Sequence, residues 1–220
     1  VAEVEVKKHD GWAELVLNRP NRRNAINGPF GVLLAEHLHA LNSDGDIEAI
    51  LLRGADGCFC SGLDLKEFNA DPEPDWMSDF GQIWRKVHRR LYETEKPVIA
   101  VLERFAINGG AALALAADVL LVGKNSFLQV GEVQQGMAAP YNLAWLKLRY
   151  SEAIISQLTL VGRRFTGEEL LRMGVAYAAP NDAEVLSSAR TLMKDLSKYP
   201  PGALSRIKRT MRSYVDETAD

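Results

Sequence analysis

Three short apolar runs, residues 47–52, 98–102 and 118–122, are rich in Ile, Val and Leu, and stretches of helical spacing separate them. That order constrains the chain more than any other feature. Strands joined this way are not hairpin neighbours: parallel strands need a crossover of a dozen or more residues, usually a helix. Phe30, Leu33, Leu34, His37, Leu38 and Leu41 recur at helical spacing between the strand expected at 12–17 and the run at 47–52. Trp76, Phe80, Ile83, Trp84, Val87 and Leu91 form a second such face, with Arg85, Lys86, Arg89 and Arg90 opposite. A small-residue helix is expected over 109–117. Ahead of all this, Asp10-Gly11 between two strand-like segments predicts a hairpin.

Beyond Pro140 the pattern is helical, with candidates at 142–150, 151–161, 167–173, 183–198 and 201–215. Thr166 and Glu169 have capping-box spacing. The chain has 220 residues, 47% hydrophobic and 25% charged, enough for one sizeable core without staples. The expected fold class is therefore α/β in front with helices behind.

Several functions are disfavoured by composition. A formal net charge of −3 gives no basic excess for nucleic-acid phosphates. Cys58 and Cys60 have no second pair to complete a zinc site, and His37 and His39 sit two apart, on different helix faces, so no metal is expected. The cysteines read as buried thiols in a reducing compartment. No apolar run is long enough to span a bilayer and no targeting segment is visible, so a cytoplasmic or organelle-matrix location is expected, with no membrane partner.

Two segments carry chemical information. Phe59-Cys60-Ser61-Gly62-Leu63-Asp64-Leu65-Lys66-Glu67 follows a strand and a Gly-rich turn, and Ala106-Ile107-Asn108-Gly109-Gly110-Ala111-Ala112-Leu113-Ala114 follows a strand and opens a helix. Small residues let a ligand approach the backbone, and a helix start leaves N–H groups without partners. Two such donors converging on one oxygen make an oxyanion hole.

Both segments resemble motifs of the crotonase (enoyl-CoA hydratase/isomerase) superfamily. So do Asn18-Arg19-Pro20 with Arg23-Asn24-Ala25-Ile26-Asn27, and the stretch Gly162 to Glu169 followed by Gly174-Val175. The likeness runs from about Val4 to Lys208, with Asn108 replacing a family glycine. It implies a spiral of ββα turns over residues 1–195, an incomplete C-terminal helical segment over 196–220, and assembly as a homotrimer or hexamer. It implies an acyl-CoA thioester as substrate, coenzyme A entering as part of it and no separate cofactor. The N–H groups of Leu63 and Gly109 would hold the thioester carbonyl oxygen. Ser61, Leu63, Asp64, Leu65 and Lys66, together with Ala25 and Gly109, would lie along the coenzyme A portion, and Arg22 or Arg23 would meet phosphate.

Family hydratases use two glutamates. Here one position is Ala112 and the other, within Gly131-Glu132-Val133-Gln134-Gln135-Gly136, keeps Glu132. The related isomerases work with one glutamate. Adding water suits two carboxylates, whereas moving a double bond needs one proton taken from C2 and returned at C4, a task for a single carboxylate. The expectation is an isomerase using Glu132. The alternatives are a hydratase or related lyase or hydrolase, with Tyr141 or Asn142 assisting, and a non-catalytic acyl-CoA-binding protein.

Overall fold

Side-chain alternation along the central strands sorts the core into two layers. In the computed structural model, which describes residues 2–217, a five-stranded sheet has the order β1-β2-β3-β4-β6. Its strands are β1 (Val4–His9), β2 (Trp12–Leu17), β3 (Ala49–Gly54), β4 (Val98–Leu102) and β6 (Val119–Val122). β1 and β2 form the antiparallel hairpin that Asp10-Gly11 predicts; every later pair is parallel. Ile50, Leu52, Val98, Ala100 and Leu102 face one layer, and Leu51, Ile99, Val101 and Leu121 face the other. Both faces are covered, so β2, β3 and β4 are buried along their whole length, as parallel strands must be.

The first layer holds α1 (Gly28–Ser43) and α3 (Phe80–Glu93), which pack on each other. Asn27 caps α1 by accepting from the Phe30 N–H at 2.9 Å. The helix expected from Trp76 begins only at Phe80: residues 77–79 form a 3-10 turn, and Trp76 packs instead on Phe68 of the one-turn helix α2 (Leu65–Phe68). The second layer holds α8 (Val185–Leu196), through Val185, Ala189 and Met193.

A second, three-stranded sheet was not anticipated. β5 (Phe105–Ile107) pairs in parallel with β7 (Phe127–Gln129), which pairs antiparallel with the two-residue β8 (Phe165–Thr166). Runs of two or three residues carry no periodicity; their pairing across the fold is what makes them strands. Helices fill the remainder: α4 (Gly109–Leu115), α5 (Pro140–Arg149), α6 (Glu152–Val161) and α7 (Gly167–Arg172). The Thr166–Glu169 capping box is present at the start of α7. α9 (Ala203–Glu217) lies in the expected C-terminal segment, of which 218–220 fall outside the described residues. It is anchored by buried Lys208, whose Nζ donates to Asp118 Oδ2 at 2.6 Å and to the Lys96 carbonyl at 2.8 Å.

The sheet contains one buried charge centre. Glu14 in β2 is 0% exposed and pairs with Arg53 at 2.6 Å and Arg190 at 2.7 Å. Burial pushes its carboxyl up, but hydrogen bonds and charge from the two arginines outweigh this and hold it below the usual range.

Candidate active site

The loops leaving β3 and β4 meet at the carboxyl ends of the parallel strands, where open α/β sheets place their ligand sites. They are stitched main chain to main chain. The Phe59 N–H donates to the Glu103 carbonyl at 3.0 Å, Cys60 to Phe105 at 3.1 Å, and Ile107 back to Cys60 at 3.1 Å. Glycine is required for this approach. A Cβ on Gly110 would lie 2.6 Å from the Cys60 carbonyl oxygen, and one on Gly62, where φ is +91°, 2.9 Å from that of Ile107.

The segment from Asn18 to Asn27 turns out to support the first loop. Asn24 is buried and donates to the Cys58 carbonyl at 2.6 Å. The Ile26 N–H donates to Gly62, and Asp64 donates to Ile26, each at 2.8 Å. This one-residue parallel bridge uses the groups on either side of Leu63, so its own N–H points the other way. Among the described residues no group accepts from it. Gly109 opens α4, so its N–H has no intrahelical partner, and the Asn108 side chain does not cap it. The Cβ position of Gly109 lies 4.0 Å from Leu63 Cδ2, and both residues line one cavity of about 390 Å³.

Ser61, Leu65 and Glu132 line the same cavity, as does Ala112. Phe80 and Trp84 of α3 and Tyr141 of α5 complete an aromatic wall. Other residues singled out in the sequence stand outside the lining. Asp64 is buried, accepts the Glu67 N–H at 3.3 Å as the cap of α2, and pairs with Arg19 at 3.1 Å. Ala25 is buried, with its carbonyl accepting from Arg19. Lys66 is exposed on α2. Arg23 is exposed in a left-handed conformation, and its carbonyl accepts from Ser61 at 3.1 Å. Arg22 sits 3.8 Å from Asp64.

Glu132 begins a 3-10 turn after Gly131 and is 8% exposed. It is the one carboxylate in the cavity lining among the described residues. Burial raises its pKa, partly offset by its own backbone and by the Asn142 side chain, which donates to Oε1 at 2.8 Å. Oε2 is buried with no protein partner. The nearby thiols are no rivals as nucleophiles: burial pushes Cys58 up to about 11 and Cys60 up to about 12. Behind Tyr141, His88 stacks at 4.4 Å and accepts the Trp145 indole N–H at 2.9 Å; burial drives it down to about 3, so it stays neutral.

Residues 7–220 match the family model described as enoyl-CoA hydratase/isomerase. The chain belongs to the enoyl-CoA hydratase/isomerase family. It is an acyl-CoA enzyme of that family, and its α/β spiral is the crotonase fold. The 1,2-epoxyphenylacetyl-CoA isomerase of Escherichia coli (strain K12) is 30% identical over 214 residues, covering 96% of this chain and 82% of that protein. The carnitinyl-CoA dehydratase of Proteus mirabilis (strain HI4320) is 32% identical over 203 residues, covering 91% and 76%. Among solved structures, an enoyl-CoA hydratase from Mycobacterium tuberculosis H37Rv superimposes with a TM-score of 0.83 at 28% identity, covering 96% and 82%. Pseudomonas aeruginosa OdaA gives 0.83 at 29%, covering 99% and 87%. No helix among the described residues is long and apolar enough to cross a membrane.

Sequence reasoning missed Phe80 and Trp84 as cavity residues, because a helical apolar stripe reads as core. In the sequence, Asn108 stands out only as a departure from a glycine. Its positive φ of 50° and its side-chain bond to the Gly131 N–H at 2.8 Å, where it accepts, emerge only from the fold.

Proposed function

We propose that this enzyme shifts the double bond of a 3-enoyl-CoA, with Glu132 as sole proton carrier. The observation that carries the reading is the single carboxylate in a cavity where Ala112 occupies the other family position. Leu63 N–H and Gly109 N–H hold the thioester oxygen. Glu132 Oε2 takes a proton from C2, and the electron pair moves into the enolate, which extends over C3 and C4. The same proton returns at C4, leaving the double bond conjugated with the thioester and Glu132 ionised again. Two donors on the enolate oxygen make that proton removable; losing one such donor costs about 10²–10³ in rate. Phe80, Trp84 and Tyr141 suit an apolar acyl group, and coenzyme A enters with the substrate, so the step needs no resident cofactor or metal.

The test is conjugation of trans-3-hexenoyl-CoA followed by absorbance. Glu132→Gln should lower kcat by about 10²–10⁴. Because burial raises the Glu132 pKa, the acidic limb of kcat/KM should lie above the ordinary carboxylate value of 4.5. Full activity in the variant removes the reading.

A second reading has its own observation. Glu132 Oε2 and Asn142 Oδ1 are both buried acceptors without a donor. A water, or a hydroxyl on the acyl group, could satisfy both, which favours hydration and dehydration. Water addition to crotonyl-CoA exceeding isomerisation would establish it. Assembly as a homotrimer or hexamer is proposed alongside either reading, with light scattering as the check.

A further inference from the structure

We infer that Asn142 is a positioning residue: it grips one oxygen of Glu132 and leaves Oε2 as the single atom through which protons pass. The inference rests on Glu132 being the base, and deepens that reading by assigning which oxygen works and what holds it.

Asn142 is the third residue of α5 and is 1% exposed. Its Nδ2 donates to Glu132 Oε1 at 2.8 Å and to the Asn108 carbonyl at 3.1 Å. The Asn108 carbonyl can only accept, so it settles the orientation of the amide. Asn108 closes the circuit: its Oδ1 accepts the Gly131 N–H at 2.8 Å, one residue before Glu132. The chain of contacts therefore runs from Glu132 to Asn142 to Asn108 and back through Gly131. Asn108 also immediately precedes Gly109, so the carboxylate and one proposed oxyanion donor share a brace.

The backbone at Asn108, φ 50° and ψ −110°, is one that a residue with a side chain adopts only when its surroundings compel it. Here the compensation is the pair of bonds that tie it to Gly131 and Asn142. With Oε1 held, the carboxylate is not free to rotate, and Oε2 is the oxygen left with no protein partner.

Few charges compete for control of Glu132. On α5 the neighbouring titratable group is Tyr141, and on α3 it is His88, kept neutral by burial. Cys60 lies under Gly110 and stays protonated. The turn also packs on α6, whose charged residue is Glu152 at its N-terminal end. In the loop that follows α6, Arg163 pairs with Glu169 at 2.9 Å and Arg164 covers the Phe127 ring.

The experiment measures kcat against pH for wild type, Asn142→Ala, Asn142→Asp and Glu132→Gln. It uses trans-3-hexenoyl-CoA isomerisation and C2 proton exchange of butyryl-CoA in heavy water, with a thermal melt of each variant. Removing the amide donor should move the acidic limb of Asn142→Ala upward by about one to two pH units. The kcat plateau should fall about tenfold or more. Asn142→Asp, nearly isosteric, places a second carboxylate beside the first and should move the limb further up; it keeps the test available where Ala unfolds the protein. A merely structural role would lower the melting temperature and leave the limb in place. If Glu132→Gln is inactive and neither Asn142 variant moves the limb, the positioning role is overturned while the base stands. If Glu132→Gln exchanges protons like wild type, the Glu132 reading itself fails.

Discussion

Substituting Gly110 by alanine tests whether close approach of the two loops builds the site. At Gly110 a Cβ would sit 2.6 Å from the Cys60 carbonyl oxygen and 2.9 Å from Cys60 Cβ and Sγ. Contact with the carbonyl falls about 0.8 Å short of ordinary van der Waals separation. The nearest obstructing atom is main chain, pinned by hydrogen bonds to Phe105 and Ile107, so it cannot swing aside like a side-chain tip. The loops carrying Leu63 and Gly109 must separate by most of that distance. Overpacking of this kind costs about 1–3 kcal/mol, or roughly 2–12 °C in melting temperature for a chain of this size. The effect on chemistry should be larger, since misplacement by about 1 Å is enough to cost about 10² in rate. C2 proton exchange of butyryl-CoA in heavy water reads the donors directly, and calorimetry reads the fold. Gly81→Ala, on α3 with nothing within 4 Å of its Cβ position, is the control and should leave both nearly unchanged. If Gly110→Ala folds and retains exchange within threefold of wild type, the two loops are not what positions the oxygen.

Two further variants probe stability. Glu14→Gln leaves Arg53 and Arg190 without their buried anion and should cost about 3–5 kcal/mol, read from the urea midpoint; an unchanged midpoint would mean the cluster is solvated. Glu169→Ala removes half of the capping box and should cost about 0.5–2 kcal/mol in the same assay. Hydrogen bonds from Arg163 and then from the Thr166 N–H hold the Glu169 carboxyl down to about 2, from 4.5. Between those values the unfolded chain binds the extra proton. The stabilisation is therefore complete above pH 4.5, shrinks as pH falls toward 2, and should be missing from the stability profile of the variant. Equal acid sensitivity in both proteins would refute this.

Some elements were legible because their signal is local. The hairpin at Gly11, the helical faces of α1 and α3 and the capping box at Thr166 are each written in a few neighbouring residues. The loops around Leu63 and Gly109 were visible as small-residue segments following strands. The loss of a carboxylate at Ala112 was visible as a substitution. Other features were not legible for an equally plain reason. Trp84 fits a helix stripe whether the stripe meets core or cavity, and that Asp64 caps α2 and pairs with Arg19 shows only in the fold.

By itself, then, the sequence determined the order of the central strands and of the long helices between them, the two glycine-bearing turns, and a glutamate at 132 with an alanine at 112. These depend on periodicity, backbone freedom and residue type, all properties of short stretches. Tertiary structure alone decided that β5, β7 and β8 pair, that Glu14 is buried between two arginines, and that Asn142 reaches both Glu132 and Asn108. Each of those requires groups distant along the chain to be brought together, and hydrogen bonding and burial acquire their strength only once that has happened.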